Sequence, residues 1–416
     1  MKKLLLLTTA GFALSFQLFS QTMTVFQNDG KRIRYNVSDV AKIVFEEEKP
    51  FDVTNLLSAE YVPDIEFRDW IDINIGDGSG YLSLEDAKKY NGSIKITGNR
   101  ELYSIQGIEY FPALTELEIE DCPIGDFNIG SLKDLESLKL RYARVSNLDL
   151  TGLTKLTKAV LSSNQLETLQ LGGNTSLVHL YCDANYLTSL DASGCSSLET
   201  LICSVNEGLS TLKIPESPLV SFSAHTTSIS HIDLSEVVGT LDLVNVNNTN
   251  ISHLDLTGAK KLTWLECSEC PLEEAPILAG CNKLETIRME RISNEIGNMD
   301  FTECSNLNQV RLDYSKVGTS IDFTQCKKLY ELSLQGCGLQ NIDLTGLINL
   351  GYVNVCDNNF RRLDISKSDG MWQFWALRNA ISGAEIKVWK DFDIADPEKS
   401  YFYIDSTVTL VYEFSH

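Results

Sequence analysis

A leucine-like residue followed by x-x-L-x-L returns along most of this 416-residue chain. Frames open at Leu114, Leu135, Leu156, Leu177, Leu198, Leu219, Val238, Leu262, Leu284, Leu307, Leu329 and Leu350, in steps of 21, 21, 21, 21, 21, 19, 24, 22, 23, 22 and 21 residues. Ile94 and Ile96 look like a leading frame, and Met371, Phe374 and Ala376 like a weaker last one. No single unit of this length can bury its leucines alone, whereas stacked units share one continuous core. The L-x-L alternation gives each coil a short strand with one face inward. Strands of successive coils then pair in parallel at ~4.8 Å spacing, so the array carries a sheet ~55 Å long. The expected fold is an α/β repeat solenoid of about 12–13 coils, right-handed and curved, with a parallel concave sheet and a cap at each end. The 19- and 24-residue steps around Val238 predict a local kink or bulged loop.

One frame shows the full pattern: Leu177-x-x-Leu180-x-Cys182-x-x-Asn185-x-Leu187-x-x-Leu190-x-Ala192, then Ser193-Gly194-Cys195. This resembles the leucine-rich repeat family from about Ile94 to Ile381. Its L-x-x-L-x-C-x-x-N-x-L form is similar to exported repeat proteins of Bacteroidetes, themselves similar to bacterial internalins. The resemblance implies that an asparagine at the strand exit satisfies turn backbone groups. Asn164, Asn185, Asn206 and Asn358 occupy that slot, while Cys122, Ala143, Thr227, Val246, Cys270, Ile292, Ser315 and Cys337 stand there elsewhere. In the second half of the coil, Leu148-Asp149-Leu150-Thr151 recurs as Ile232 to Ser235, Leu254 to Thr257 and Ile342 to Thr345. The Thr or Ser suits an N-cap for a short helical turn on the convex side.

Cysteines fall on the same grid. Cys182, Cys203 and Cys267 replace inward leucines, Cys122, Cys270 and Cys337 take the asparagine slot, and Cys195, Cys281, Cys304 and Cys326 a convex core slot. Cys356 alone falls in an outward position. Stacked neighbours point the same way, which is poor geometry for a disulfide, so the thiols are expected free and buried.

The N-terminus reads as an export signal: Lys2 and Lys3, then an apolar run from Leu4 to Phe19, with cleavage after Ser15 or Gln21. No cysteine lies between Ser15 and Gly30, so a lipoprotein is not expected. The mature chain is expected outside the cytoplasm (secreted, at the cell surface or periplasmic), not inserted in a membrane, and monomeric. Expected segments are a signal peptide over 1–21, an N-terminal β segment over 22–49, a cap over 50–111, the repeat domain over 112–381 and a C-terminal β cap over 382–416. Within the first cap, Ile75 to Asp86 looks like a decayed EF-hand loop, with Asp77, Ser79 and Asp86 at ligand positions. Its first ligand position is Ile75 and its last is the short Asp86, so Asp77, Ser79 and Asp86 are weak metal candidates.

Asp and Glu outnumber Lys and Arg 57 to 35, a formal charge of −22. A field of that sign repels phosphate backbones and argues against nucleic-acid binding. No nucleophile elbow, zinc-protease helix, phosphate loop or dinucleotide fingerprint is present, so neither an enzyme nor a cofactor is expected. Function falls to the outward strand residues. Val160, Tyr181 and Ile202 share one column, Arg288 and Arg311 stand side by side, and His179, Trp264, Tyr352 and Trp375 complete the candidate surface. Adjacent exposed apolar residues suit a binding patch, and paired arginines suit a carboxylate or sulfate unless local acids neutralise them. The expected role is recognition of a protein partner on the concave sheet, as the resemblance implies. A glycan stacked on Tyr181, Trp264, Tyr352 and Trp375, or a purely structural envelope role, are the alternatives.

Overall fold

A computed structural model of the protein describes residues 55–379, 383–393 and 401–413, together with the backbone strands Leu5–Thr9, Phe12–Phe19, Thr22–Phe26 and Arg32–Asn36. Of the two expected signal cleavage points, that after Gln21 lies outside the described residues. The four early strands pair antiparallel in chain order. The chain divides into two compact units, Met1–Leu177 and Val178–His416.

In the first unit, the helix Ile65–Asn74 starts on Asp64, whose carboxylate accepts the N–H groups of Glu66 and Phe67. It buries Phe67 and Ile71. A second helix, Leu84–Lys89, is capped by the Ser83 hydroxyl. The strand Ser93–Thr97 then opens the solenoid and pairs in parallel with Glu116–Glu120, followed by Ser137–Arg141 and Lys158–Val160. In these strands every second residue is buried (Leu117 and Ile119, Leu138 and Leu140, Ala159) and its neighbours face out, as alternation requires.

The second unit repeats this plan. Its main-sheet strands run from His179–Tyr181 through Thr200–Ile202, Ser221–Ser223, Leu243–Asn245, Trp264–Glu266, Thr286–Arg288, Gln309–Arg311, Glu331–Ser333, Tyr352–Asn354 and Gln373–Ala376 to Phe402–Ile404, all parallel. Leu180, Leu201, Phe222, Val244, Leu265, Ile287, Val310, Leu332, Val353 and Phe374 stack inward in register and are fully buried. Each contributes about 1.5–3 kcal/mol through burial, and only because the coil above and the coil below exist. The fold is thus a parallel-strand solenoid of about fifteen turns with little helix. At its C-terminal end, Phe402 packs on Phe374 and Phe392 with ring centroids 5.9 and 5.3 Å apart, closing the inner stack with aromatic surface.

Three expectations need correction. The coil expected to open at Val238 opens at Leu241, which is fully buried, and Val244 and Val246 follow as its inward residues. The spacing is therefore regular and no kink is needed; Thr249, not Val246, holds the asparagine slot, its hydroxyl 2.9 Å from the Val246 carbonyl. Second, among the described residues the opposite side of the coil carries no helix, only single turns such as that closed by the Leu153 N–H on the Leu150 carbonyl at 3.1 Å. Several segments on that side form short parallel strands, such as Asn147–Asp149 beside Thr168–Gln170 and Ser189–Asp191 beside Thr211–Lys213. There the aspartate does the capping: Asp149, Asp233, Asp255 and Asp343 each accept the N–H two residues on, at 2.8–3.0 Å. Third, Cys356 is buried rather than outward, because its sulfur accepts the Leu377 N–H of the next coil at 3.3 Å.

The slot after each strand explains the repeat chemically. The chain turns there through a left-handed residue, including β-branched Val205 and Thr226 at φ 54° and 56°. Such conformations cost about 1–2 kcal/mol. The slot side chain offsets that cost by bonding backbone. Asn206 is fully buried, donates to the Cys182 and Cys203 carbonyls at 3.1 and 2.9 Å, and accepts the Leu187 N–H at 3.0 Å. At three of the slots that lack asparagine, a smaller donor makes the bond one coil back. Cys270 reaches the Val246 carbonyl at 3.1 Å, Cys337 that of Leu312 at 3.1 Å, and Ser315 that of Met289 at 2.6 Å.

Candidate functional site

Two outward columns run along the main sheet of the second unit. The first contains His179, Thr200, Ser221, Leu243, Trp264, Thr286, Gln309, Glu331, Tyr352 and Gln373. The second contains Tyr181, Ile202, Ser223, Asn245, Glu266, Arg288, Arg311, Ser333, Asn354 and Trp375. Tyr181 and Ile202 are register partners, both half-buried with open faces. Val160 stands outward in the first unit as the partner of Lys139. His179 is tied to its neighbour, its Nδ1 3.1 Å from the Thr200 hydroxyl. Leu243, displaced from view by the misplaced frame, stands beside Trp264 and adds to the apolar surface.

Arg288 and Arg311 are direct cross-strand partners, an arrangement that repels unless balanced. Balance is local. Arg288 donates to Glu266 at 3.3 Å and holds its guanidinium 5.0 Å over the Trp264 ring, while Arg311 is paired with Glu331. Beside them Glu290 and Asp313 sit half-buried. Burial and then the Asp313 charge push the Glu290 carboxyl above its ordinary range, and burial raises that of Asp313. Asp313 is held by the Ser333 hydroxyl at 2.8 Å and the Gln335 N–H at 2.7 Å. The arginines are therefore fixed in orientation and matched by neighbouring carboxylates, with their side chains 37% and 41% exposed.

Farther along, Tyr352 lies 6.3 Å from Trp375 and, as the repeat pattern did not suggest, 6.3 Å from Trp372. Trp372 stands at the strand entrance, outside the L-x-L frame, so nothing in the periodicity marks it. Tyr403, contributed by the strand after Trp375, packs edge-on to it at 5.8 Å.

The weak metal candidates do not converge. Asp77 accepts the Ser79 N–H at 3.0 Å, and Asp86 is bonded to the Ser83 hydroxyl at 2.7 Å; Asp72 instead accepts the Gly80 N–H at 3.0 Å. Among the described residues no three His, Cys, Asp or Glu side chains gather as a metal site. All eleven cysteines are free and buried. Burial pushes Cys203 and Cys337 up to about 12 and Cys195 to about 11, which leaves them unreactive thiols at neutral pH. No helix among the described residues is long and apolar enough to cross a membrane.

The stacked parallel strands, inward leucines and strand-exit asparagine define the leucine-rich repeat fold. No protein-family model and no curated protein matches the sequence. Among solved structures, the chain is similar to the functional domain of InlJ from Listeria monocytogenes, described as including a cysteine ladder, at TM-score 0.70 and 23% identity over 83% of this chain and 73% of that one. It is also similar to a leucine-rich repeat protein of Leptospira interrogans, at TM-score 0.59 and 19% identity over 79% and 86% of the two chains. The internalin InlF of L. monocytogenes superposes at TM-score 0.55 with 16% identity, over 88% of this chain and all of that one.

Proposed function

We propose that this is an exported, non-enzymatic recognition protein that docks a protein partner on the outward face of its main sheet. The carrying observation is the run from Tyr181 and Ile202 to Leu243, Trp264, Arg288 and Arg311. It sets apolar, aromatic and arginine side chains in register on an open face of rigid strands. Tyr, Trp and Arg dominate the energetics of protein interfaces because they bring large, oriented contact area at small entropic cost. Strand-borne side chains locked by cross-strand bonds, as His179 and Arg288 are, need little reordering on binding. Repeat solenoids supply extended surfaces of this kind. Export is supported by the basic and then apolar N-terminus and by an acidic chain that suits no nucleic-acid partner.

The test is affinity capture from envelope and host-cell extracts with the wild-type protein, Tyr181→Ala/Ile202→Ser, and Arg288→Ala. Loss of a specific captured protein in both variants, with thermal stability unchanged, is the expected result. Equal recovery from all three proteins removes this face as the docking surface. Secretion of a tagged chain, with an N-terminus beginning near residue 16 or 22, checks the export reading; retention in the cytoplasm contradicts it.

A further inference from the structure

Glycine at position 351 makes room for an arrangement that the repeat itself does not require. A Cβ there would lie 2.4 Å from the Tyr330 ring, so Tyr330 lies across Gly351, and its hydroxyl accepts the Trp372 Nε1–H at 3.0 Å. Tyr352 is tilted against Trp372 by 47° and against Trp375 by 56°, both at 6.3 Å, and Tyr403 meets Trp375 edge-on. Five aromatic rings from successive coils thus form one continuous group. Tyr330, Trp372 and Tyr403 are each about 45% exposed, values that buried core aromatics do not show. Leaving that much contiguous aromatic surface in water is unfavourable for the isolated chain, and such patches mark ligand surfaces.

The charge around the rings narrows the ligand. In a chain of net −22, the charges nearest the rings are bonded within the protein: Arg311 is paired with Glu331, Arg378 is held by both oxygens of Asp357, and Asp313 is held by the Ser333 hydroxyl and the Gln335 N–H. Gln373, the register partner of Tyr352, is an uncharged, half-buried amide in the outward column, while Asn354 beside Trp375 is buried and bonded to Gln335 at 3.2 Å. A surface of tilted ring faces edged by the neutral Gln373 amide and by charges already bonded within the protein has little to select an ion. It matches a ligand with flat C–H faces edged by hydroxyls. We propose that Tyr330, Tyr352, Trp372, Trp375 and Tyr403 form a binding platform for a neutral saccharide chain. Ring faces would stack on pyranose C–H faces, and Gln373 would bond hydroxyls. This site lies outside the run proposed above for a protein partner and does not depend on it.

Native affinity electrophoresis of the full chain tests it, in gels containing laminarin, mixed-linkage β-glucan, galactomannan or starch, with heparin as the anionic comparison. Retardation by at least one neutral polysaccharide is expected, weakened at least about tenfold by Trp372→Ala and by Tyr352→Ala. Tyr186→Ala, which removes an aromatic ring 65% exposed elsewhere, should leave it unchanged. If Tyr352→Ala melts early by circular dichroism, Trp372→Ala decides, since its ring is already half in water. The proposal is overturned by no retardation in any neutral gel, by retardation with heparin alone, or by retardation that survives loss of the Trp372 ring. It is equally overturned if a proline decamer quenches tryptophan fluorescence through Trp372 while no polysaccharide does.

Discussion

Asn206→Ala removes one amide from a fully buried slot, and the structure fixes what is left behind. The Leu187 N–H loses its acceptor at 3.0 Å, and the Cys182 and Cys203 carbonyls lose donors at 3.1 and 2.9 Å. A buried polar group left unpaired costs about 1–3 kcal/mol. The Cys182 carbonyl keeps the Asn185 amide at 3.0 Å, so two groups, the Leu187 N–H and the Cys203 carbonyl, lose their partner; partly relieved by relaxation and water entry, they amount to about 2–4 kcal/mol. Thr227→Ala, one coil on, deletes a single bond to the Ala224 carbonyl at 2.8 Å and should cost about 1 kcal/mol. Urea unfolding followed by far-ultraviolet circular dichroism compares the two. Because coils are coupled mainly to their neighbours, the loss should also be local. Exchange at the Leu187 amide should accelerate by about two orders of magnitude, while amides near Val353 keep their protection. If Asn206→Ala is no more damaging than Thr227→Ala, or if exchange at Leu187 is unchanged, the slot is not what holds successive coils together.

Three further outcomes follow from the same geometry. Leu241→Ala should cost about 2–4 kcal/mol and Val238→Ala under about 1 kcal/mol, since only Leu241 is fully buried; the reverse order would restore the irregular frame. Iodoacetamide at pH 8 should label no cysteine in the native protein and all eleven after denaturation without reductant, and a shortfall would reveal a disulfide. Two carboxyls contribute to the pH dependence with opposite signs. Asp191, bonded to Lys213 and Ser193, is lowered from 3.8 to about 2, so its stabilising effect is complete above 3.8 and is lost as pH falls through about 2. In a carboxyl NMR titration Lys213→Ala should bring Asp191 back toward 3.8. Glu290 is raised above 4.5 by burial, so its ionised form opposes folding at neutral pH. Glu290→Gln should be neutral or stabilising at pH 7, with that gain gone below about pH 4.

Periodicity made the solenoid legible because every inward leucine is buried by its neighbours, and a residue pattern that costly has one use. It failed where two aliphatic residues competed for one position. Val238 and Leu241 both suit the opening slot, and only the depth of Val244 and Val246 decides between them. The strand-exit slot was legible as asparagine, but short donors such as Cys270 and Ser315 make the same bond there, and Ala143 and Ile292 fill it with no side-chain donor at all. Cys356 was misread because column assignment ignores the N–H that the next coil brings to it. Of the surface, Tyr181, Ile202, Arg288 and Arg311 could be placed by counting two residues along each strand. Trp372 and Tyr330 could not, since their meeting depends on the missing side chain at Gly351 and on a contact 42 residues apart.

The recognition account is tested most directly by photo-crosslinking. A benzophenone amino acid placed singly at Ile202, Trp264 or Arg288, and for comparison at Thr211, Glu274 or Thr324, is irradiated in the extract that yields the captured partner. The account predicts adducts of one partner from the first three positions and none from the second three. Adducts from Thr211, Glu274 and Thr324 alone would place recognition away from the outward face of the main sheet and contradict it.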